Sequence, residues 1–172
     1  MNLYLMRHGI ALAANDPSVA IDADRPLSPK GIKRTRKIAK GMRRLSLSFD
    51  VLLTSPRVRA RQTADLVAAA LGAEACLEEI AGLSPESTVE VLLLGLIPYQ
   101  DRGDLLLVGH EPLLSNTLAH LLAGKPSRNA LNMEFKKGGL CRIEIDGLPP
   151  PGPGKLHWLL TPKQLRCIAD SR

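Results

Sequence analysis

Short apolar runs alternate with longer amphipathic stretches along this chain. NLYLM (2–6) is almost wholly apolar and reads as a buried strand. Beyond a loop rich in Asp and Pro, Ile32, Thr35, Ile38, Ala39, Met42 and Leu45 recur three and four residues apart with basic residues between them. That spacing predicts an amphipathic helix, opened by Ser28 as N-cap and Pro29 in the first turn.

The pattern then repeats. FDVLLTS (49–55) reads as a second strand, and PRVRARQTADLVAAALG (56–72) as a helix opened by Ser55-Pro56 and closed near Gly72. EACLEEI (74–80) is a less pronounced third strand. SPESTVEVLLLGL (84–96) repeats the Ser-Pro opening at Ser84-Pro85. DLLLVGH (104–110) is the clearest buried strand, followed by the helix PLLSNTLAHLLAG (112–124), expected to end at Gly124. This βα rhythm predicts a three-layer α/β/α sandwich around a mostly parallel sheet. GGLCRIEID (138–146) and KLHWLLT (155–161) are joined by a Pro/Gly stretch too short for a helical crossover. They are expected to pair antiparallel at one sheet edge, with PKQLRCIAD (162–170) as a last helix. No internal repeat or linker divides the chain, so residues 1–172 are expected to form one domain.

Composition adds constraints. Hydrophobic residues at 45% and charged residues at 23% are ordinary for a globular chain. Aromatics at 3% argue against base-stacking surfaces and hence against a nucleic-acid partner. The net charge of +6 favours an anionic substrate or partner. Much of that charge lies in one segment (Lys30, Lys33, Arg34, Arg36, Lys37, Lys40, Arg43, Arg44), which reads either as a solvated helix face or as an anion-binding surface. Three scattered cysteines (Cys76, Cys141, Cys167) fit no disulfide framework or metal spacing. No signal peptide is legible, and the longest apolar stretch, VEVLLLGLIP (89–98), is far short of the roughly 18 residues that span a bilayer. A cytoplasmic, monomeric protein without membrane contact is expected.

In open α/β sheets ligands bind beyond the carboxyl ends of the strands. The first strand ends in Arg7-His8-Gly9. The second runs into TSPRVRARQT (54–63) with Arg57, Arg59 and Arg61, and the buried fourth ends in Gly109-His110-Glu111-Pro112. Each residue alone has an ordinary explanation as a surface cation or strand-end histidine. Together they gather two histidines and several arginines on one edge. Guanidinium groups match phosphate oxygens, and a neutral imidazole is a competent nucleophile toward phosphorus. The chemistry this suggests is phosphoryl transfer through a phosphohistidine intermediate, with no cofactor and no metal. No GxSxG elbow is present, and AGKPS (123–127) lacks the earlier glycine of a phosphate-binding loop. Asp22 and Asp24 supply carboxylates in what reads as a solvated loop.

LMRHG (5–9), TSPRVRARQTA (54–64) and VGHEP (108–112), in this order and each at a strand end, resemble the motifs of the histidine phosphatase superfamily, which includes the phosphoglycerate mutase-like enzymes. The resemblance implies His8 as nucleophile, with Arg7, Arg59 and His110 holding the phosphoryl group, and places Arg57 and Arg61 at the rim or facing outward. DADRPLSPKG (22–31), LSPEST (83–88) and WLLTPKQL (158–165) are similar to the short SixA-type phosphohistidine phosphatases, which lack the long insertions that cap larger members. Two features of mutase-like members are not matched. Asn15 falls one residue late after the RHG motif. No glutamate acid falls where Gly82 stands, leaving Glu78, Glu79 and Glu86 as nearby candidates. A phosphate ester needs a proton for its leaving oxygen, whereas a phosphoramidate is intrinsically more labile. The expected substrate is therefore phosphohistidine on a protein domain.

Two other readings stay open at this level: a small phosphomonoester hydrolysed in the same pocket, and a non-catalytic anion- or nucleic-acid-binding module using the basic helix of residues 30–44. Arg25, in the loop beside the site, reads either as a substrate contact or as a helix cap.

Overall fold

A computed structural model describes residues 1–123 and 135–171. Six strands form a single mixed sheet in the order β3-β2-β4-β1-β5-β6. These are β1 (Asn2–Arg7), β2 (Val51–Thr54), β3 (Leu77–Glu79), β4 (Asp104–Gly109), β5 (Leu140–Glu144) and β6 (Lys155–Leu160). β1, β2, β3 and β4 run parallel. β5 and β6 are antiparallel and form one edge, as the short Pro/Gly connection requires.

Why the central strands look continuously apolar is clear from the two cores they separate. Leu3, Leu5, Val51, Leu53, Leu105 and Leu107 face one layer. Tyr4, Met6, Leu52, Leu106 and Val108 face the other. Successive strand residues point to opposite sides, so a strand covered on both faces must be apolar at every position. Helices α1 (Pro29–Arg44), α2 (Val58–Leu71) and α5 (Pro162–Asp170) cover the second core. Helices α3 (Val89–Leu96) and α4 (Leu113–Ala123) cover the first. The layering is α/β/α.

Local chemistry explains most helix ends. Ser28 accepts from Gly31 N at 3.0 Å, with Pro29 in the first turn of α1. Gly72 closes α2 in the left-handed region at φ 68°. Thr161 and Gln164 form a reciprocal capping box on α5. Two expected openings differ. α3 starts at Val89, because the Thr88 hydroxyl accepts from Val91 N, while Ser84 ends a 3₁₀ turn over Ala81–Leu83. α2 starts at Val58 with Arg57 as N-cap, and Ser55 serves a different purpose described below. The end of α4 at Gly124, and most of the AGKPS stretch, fall outside the described residues.

Close approach of α1 to the loop after β1 requires Gly31. A Cβ there would lie 1.9 Å from the Ile10 carbonyl oxygen. The same loop is tied by Ser28 N and Oγ, both donating to Ile10 O, so α1 fixes the backbone that follows His8. Among the described residues no helix is long and apolar enough to cross a membrane.

Candidate active site

Strand register assembles the site. β4 lies between β1 and β2, and Arg7 pairs with Gly109 across the β1–β4 ladder. Beyond that pair His8 N donates to Gly109 O at 3.1 Å, and Ser55 N donates to Val108 O at 3.0 Å. His8, Ser55 and His110 therefore leave three neighbouring strands at one level of the carboxyl edge. The rings of His8 and His110 lie 4.9 Å apart, inclined at 52°. Both are buried, at 6% and 2% exposure.

The His8 ring is held in one orientation. Its Nδ1 lies 2.7 Å from the Gly9 carbonyl oxygen, which can only accept, so Nδ1 carries a proton. Burial above all, and then the neighbouring His110, push the imidazole down to about 3; Arg59 and Arg7 add to this, against the opposing bond to Gly9. A neutral ring protonated on Nδ1 has its lone pair on Nε2, the atom available for attack. Gly9 itself is fixed by Thr63, whose hydroxyl accepts from Gly9 N at 2.9 Å and donates to Arg59 O at 2.7 Å. Thr63 thus ties the loop after β1 to the first turns of α2.

Three guanidinium groups carry the positive charge. Arg59 is buried and reaches the loop before α1, donating through one terminal nitrogen to Asp22 O at 2.8 Å and pairing through the other with the Asp22 carboxylate at 3.1 Å. Arg25 pairs with the second Asp22 oxygen at 2.7 Å and donates to Leu12 O at 3.0 Å. Arg7 donates to Phe135 O at 2.6 Å. The Nε atoms of Arg7, Arg25 and Arg59, together with His110 Nδ1, are buried without a hydrogen-bond partner among the described residues. Buried polar atoms are ordinarily satisfied, and the charge of the three guanidinium groups suits an anion. Asp22, expected to be solvated, is exposed and also bridges Arg25 and Arg59. Burial raises its carboxyl, but those two guanidinium groups outweigh that and hold it below the usual range. Arg25 caps no helix with its side chain; it anchors the loop beside Arg59.

His110 is pushed down to about 3 in its turn, chiefly by burial and then by Arg59 and Arg57, with Asp22 opposing. Its Nε2 lies 2.9 Å from Ser55 Oγ. Arg57 pairs with Glu86 at the rim. Arg61 faces outward onto Asp65 and Glu79, at 2.9 Å from each. Glu78 accepts from Tyr99 at 2.7 Å. Each of the three candidate acids thus has a partner other than the two histidines, and the position where an acid was sought holds the buried Gly82. Ser55, Thr63, Asp22 and Lys137 were not singled out as site residues from the sequence. Burial lowers the Lys137 ammonium, and Arg7, Arg25 and Arg59 lower it further, which places it in the same cationic field. The backbone explains this: Gly138 N donates to Arg7 O at 3.0 Å and to His8 O at 3.2 Å, latching that loop onto the end of β1.

The low histidine pKa values have a stability consequence. In the unfolded chain His8 and His110 take up protons near pH 6.5; in the fold they do so only near 3. The unfolded state therefore binds more protons between those limits, and stability must fall as the pH drops through that window. Thermal unfolding followed from pH 7 to pH 4 should show a declining midpoint, and a His8→Asn/His110→Gln double variant should show a shallower decline. Equal slopes would contradict the burial of two neutral imidazoles.

Among the described residues no cluster of three or more His, Cys, Asp or Glu side chains could hold a metal. What the site presents is two buried imidazoles in the electrostatic field of several arginines. The family model for the histidine phosphatase superfamily (branch 1) matches residues 3–84. An uncharacterized protein of Picosynechococcus sp. is 38% identical over 146 residues, covering 83% of this chain and 84% of its own. The phosphohistidine phosphatase SixA of Escherichia coli K12 is 26% identical over 168 residues, covering 96% of this chain and 97% of its own. A solved structure of the protein histidine phosphatase SixA complexed with tungstate superposes with a TM-score of 0.80 at 27% identity, over 96% of this chain and 99% of that one.

Proposed function

Because this chain belongs to the histidine phosphatase superfamily, on its SixA-type branch, we propose that it removes phosphoryl groups from phosphohistidine on a protein. The observation that carries this reading is the bond from His8 Nδ1 to Gly9 O, which leaves the lone pair on Nε2 in the field of Arg59 and Arg7, whose Nε atoms have no partner among the described residues. Nε2 attacks phosphorus, the bond from phosphorus to the substrate nitrogen breaks, and the departing imidazole recovers a proton from solvent. Water then attacks the phosphoryl group on His8; the P–Nε2 bond breaks, releasing inorganic phosphate and a neutral imidazole. Arg7, Arg59 and His110 hold the phosphoryl oxygens and stabilise the charge spread over them in both steps.

A protein substrate is favoured by two features. The carboxylates Glu78, Glu79 and Glu86 are engaged by Tyr99, Arg61 and Arg57, so none is free to protonate an ester oxygen. A P–N bond makes less demand for such an acid. The SixA relatives, at 26% and 27% identity, are named for phosphohistidine and protein histidine substrates. The deciding experiment compares kcat/KM on a histidine-phosphorylated protein domain with that on a panel of sugar, nucleotide and amino-acid phosphate esters. The expected result is a preference of at least about tenfold for the phosphoprotein. Efficient turnover of an ester with none of phosphohistidine would replace this reading by the small-molecule one.

A further inference from the structure

The buried contact between His110 and Ser55 decides more than the position of a ring. Ser55 has no exposed surface, and its Oγ has two neighbours, His110 Nε2 at 2.9 Å and Arg57 N at 3.3 Å. A backbone N–H can only donate, so Oγ accepts from Arg57 N. The hydroxyl proton then needs an acceptor, because a buried O–H without one carries a desolvation cost. Among the described residues His110 Nε2 is the acceptor within reach, provided its ring proton sits on Nδ1. The other tautomer would send Nε2–H into Oγ and leave the hydroxyl proton unsatisfied. It would also turn a bare Nδ1 lone pair toward any phosphate oxygen that approached it. Nδ1 is buried and has no hydrogen-bond partner among the described residues.

We propose that Ser55 is a positioning residue that sets the tautomer of His110: its hydroxyl donates to Nε2, and the proton thereby kept on Nδ1 is the hydrogen bond offered to a phosphoryl oxygen. The chain Arg57 N–H to Ser55 Oγ–H to His110 Nε2 runs in one direction, from the N-cap of α2 to the ring. The two histidines are thus set alike by different means. A carbonyl fixes the proton of His8 on Nδ1 and leaves Nε2 to attack. A hydroxyl fixes the proton of His110 on Nδ1 and leaves that atom to donate. In its consequence for catalysis this inference rests on the proposed phosphatase reading; the tautomer itself does not.

The test reads the tautomer directly in the free enzyme. Long-range proton–nitrogen correlation spectra of the ¹⁵N-labelled chain at pH 7 resolve the ring nitrogens, with His110 assigned by its loss in His110→Gln. The expected wild-type pattern is a protonated Nδ1 and a bare Nε2. Ser55→Ala should move His110 to a mixture or to the Nε2–H form, and lower kcat roughly 10- to 100-fold with KM changed far less. Ser55→Thr, which keeps a hydroxyl, should recover the Nδ1–H form and part of the rate. An Nε2–H tautomer in the wild type overturns the inference even if no variant folds, and so does a Ser55→Ala enzyme with unchanged tautomer and kcat. Failure of the phosphohistidine reading would show instead in the substrate panel, with the spectra unaffected.

Discussion

Replacing His8 by alanine is expected to reduce turnover of a histidine-phosphorylated protein by at least about 10³-fold, the scale of losing a covalent nucleophile. Among the described residues, neither His110 nor Asp22 is placed to substitute. The Nε2 of His110 is turned into Ser55, and Asp22 is engaged by two arginines. The variant should still bind an oxyanion such as tungstate, because the guanidinium groups of Arg7 and Arg59 and the Nδ1 of His110 do not depend on the His8 ring. Steady-state kinetics paired with oxyanion titration by calorimetry separates these effects. Turnover within a few fold of wild type would remove His8 from the mechanism.

Arg59→Ala is the second large effect. Arg59 is buried and holds Asp22 through both terminal nitrogens, and its Nε has no partner among the described residues. Removing a pre-positioned cation from a transferring phosphoryl group costs on the order of 10²- to 10⁴-fold in kcat. Two further changes follow from the same substitution. Asp22 loses one of its two cationic partners, and both histidines lose a guanidinium that holds their pKa values down, so each should titrate at higher pH. Arg59→Lys keeps the charge but not the planar fork, and should recover only part of the rate. Arg61→Ala is the control. Arg61 is tied to Asp65 and Glu79 on the outer face, so its loss should change kcat by less than about twofold. Equal effects at Arg59 and Arg61 would contradict the division between pocket and rim.

The fold was largely legible because its strands are buried on both faces. Runs such as LYLM and LLLV, short and bounded by turn residues, read as strands covered on both faces, and the amphipathic stripe of α1 declares its own inner side. The Ser-Pro rule worked at Ser28, where the serine side chain caps, and failed at Ser84 and Ser55. At Ser55 the hydroxyl is engaged by a histidine 55 residues away in sequence, a partner that local helix chemistry does not reveal. The same limit applies to Asp22. The acidic loop is solvated as it reads, but its pairing with Arg59 is made only by the fold. His8, Arg59 and His110 were legible because each follows directly from a strand end or a helix start. The latch formed by Phe135, Gly138 and Gly139 on Arg7 and His8 was not, since it is made by backbone atoms.

The central claim is that His8 Nε2 carries the phosphoryl group between substrate and water. It is tested most directly by rapid-quench labelling, in which the enzyme is mixed with ³²P-phosphohistidine protein, stopped in alkali within milliseconds and digested. The account predicts a label that is stable to alkali, labile to acid, confined to the peptide containing His8, and formed and lost fast enough to support turnover. That label should be absent from His8→Ala. A phosphoryl group that appears on another residue, or phosphate released at the wild-type rate with His8 never labelled, would contradict it.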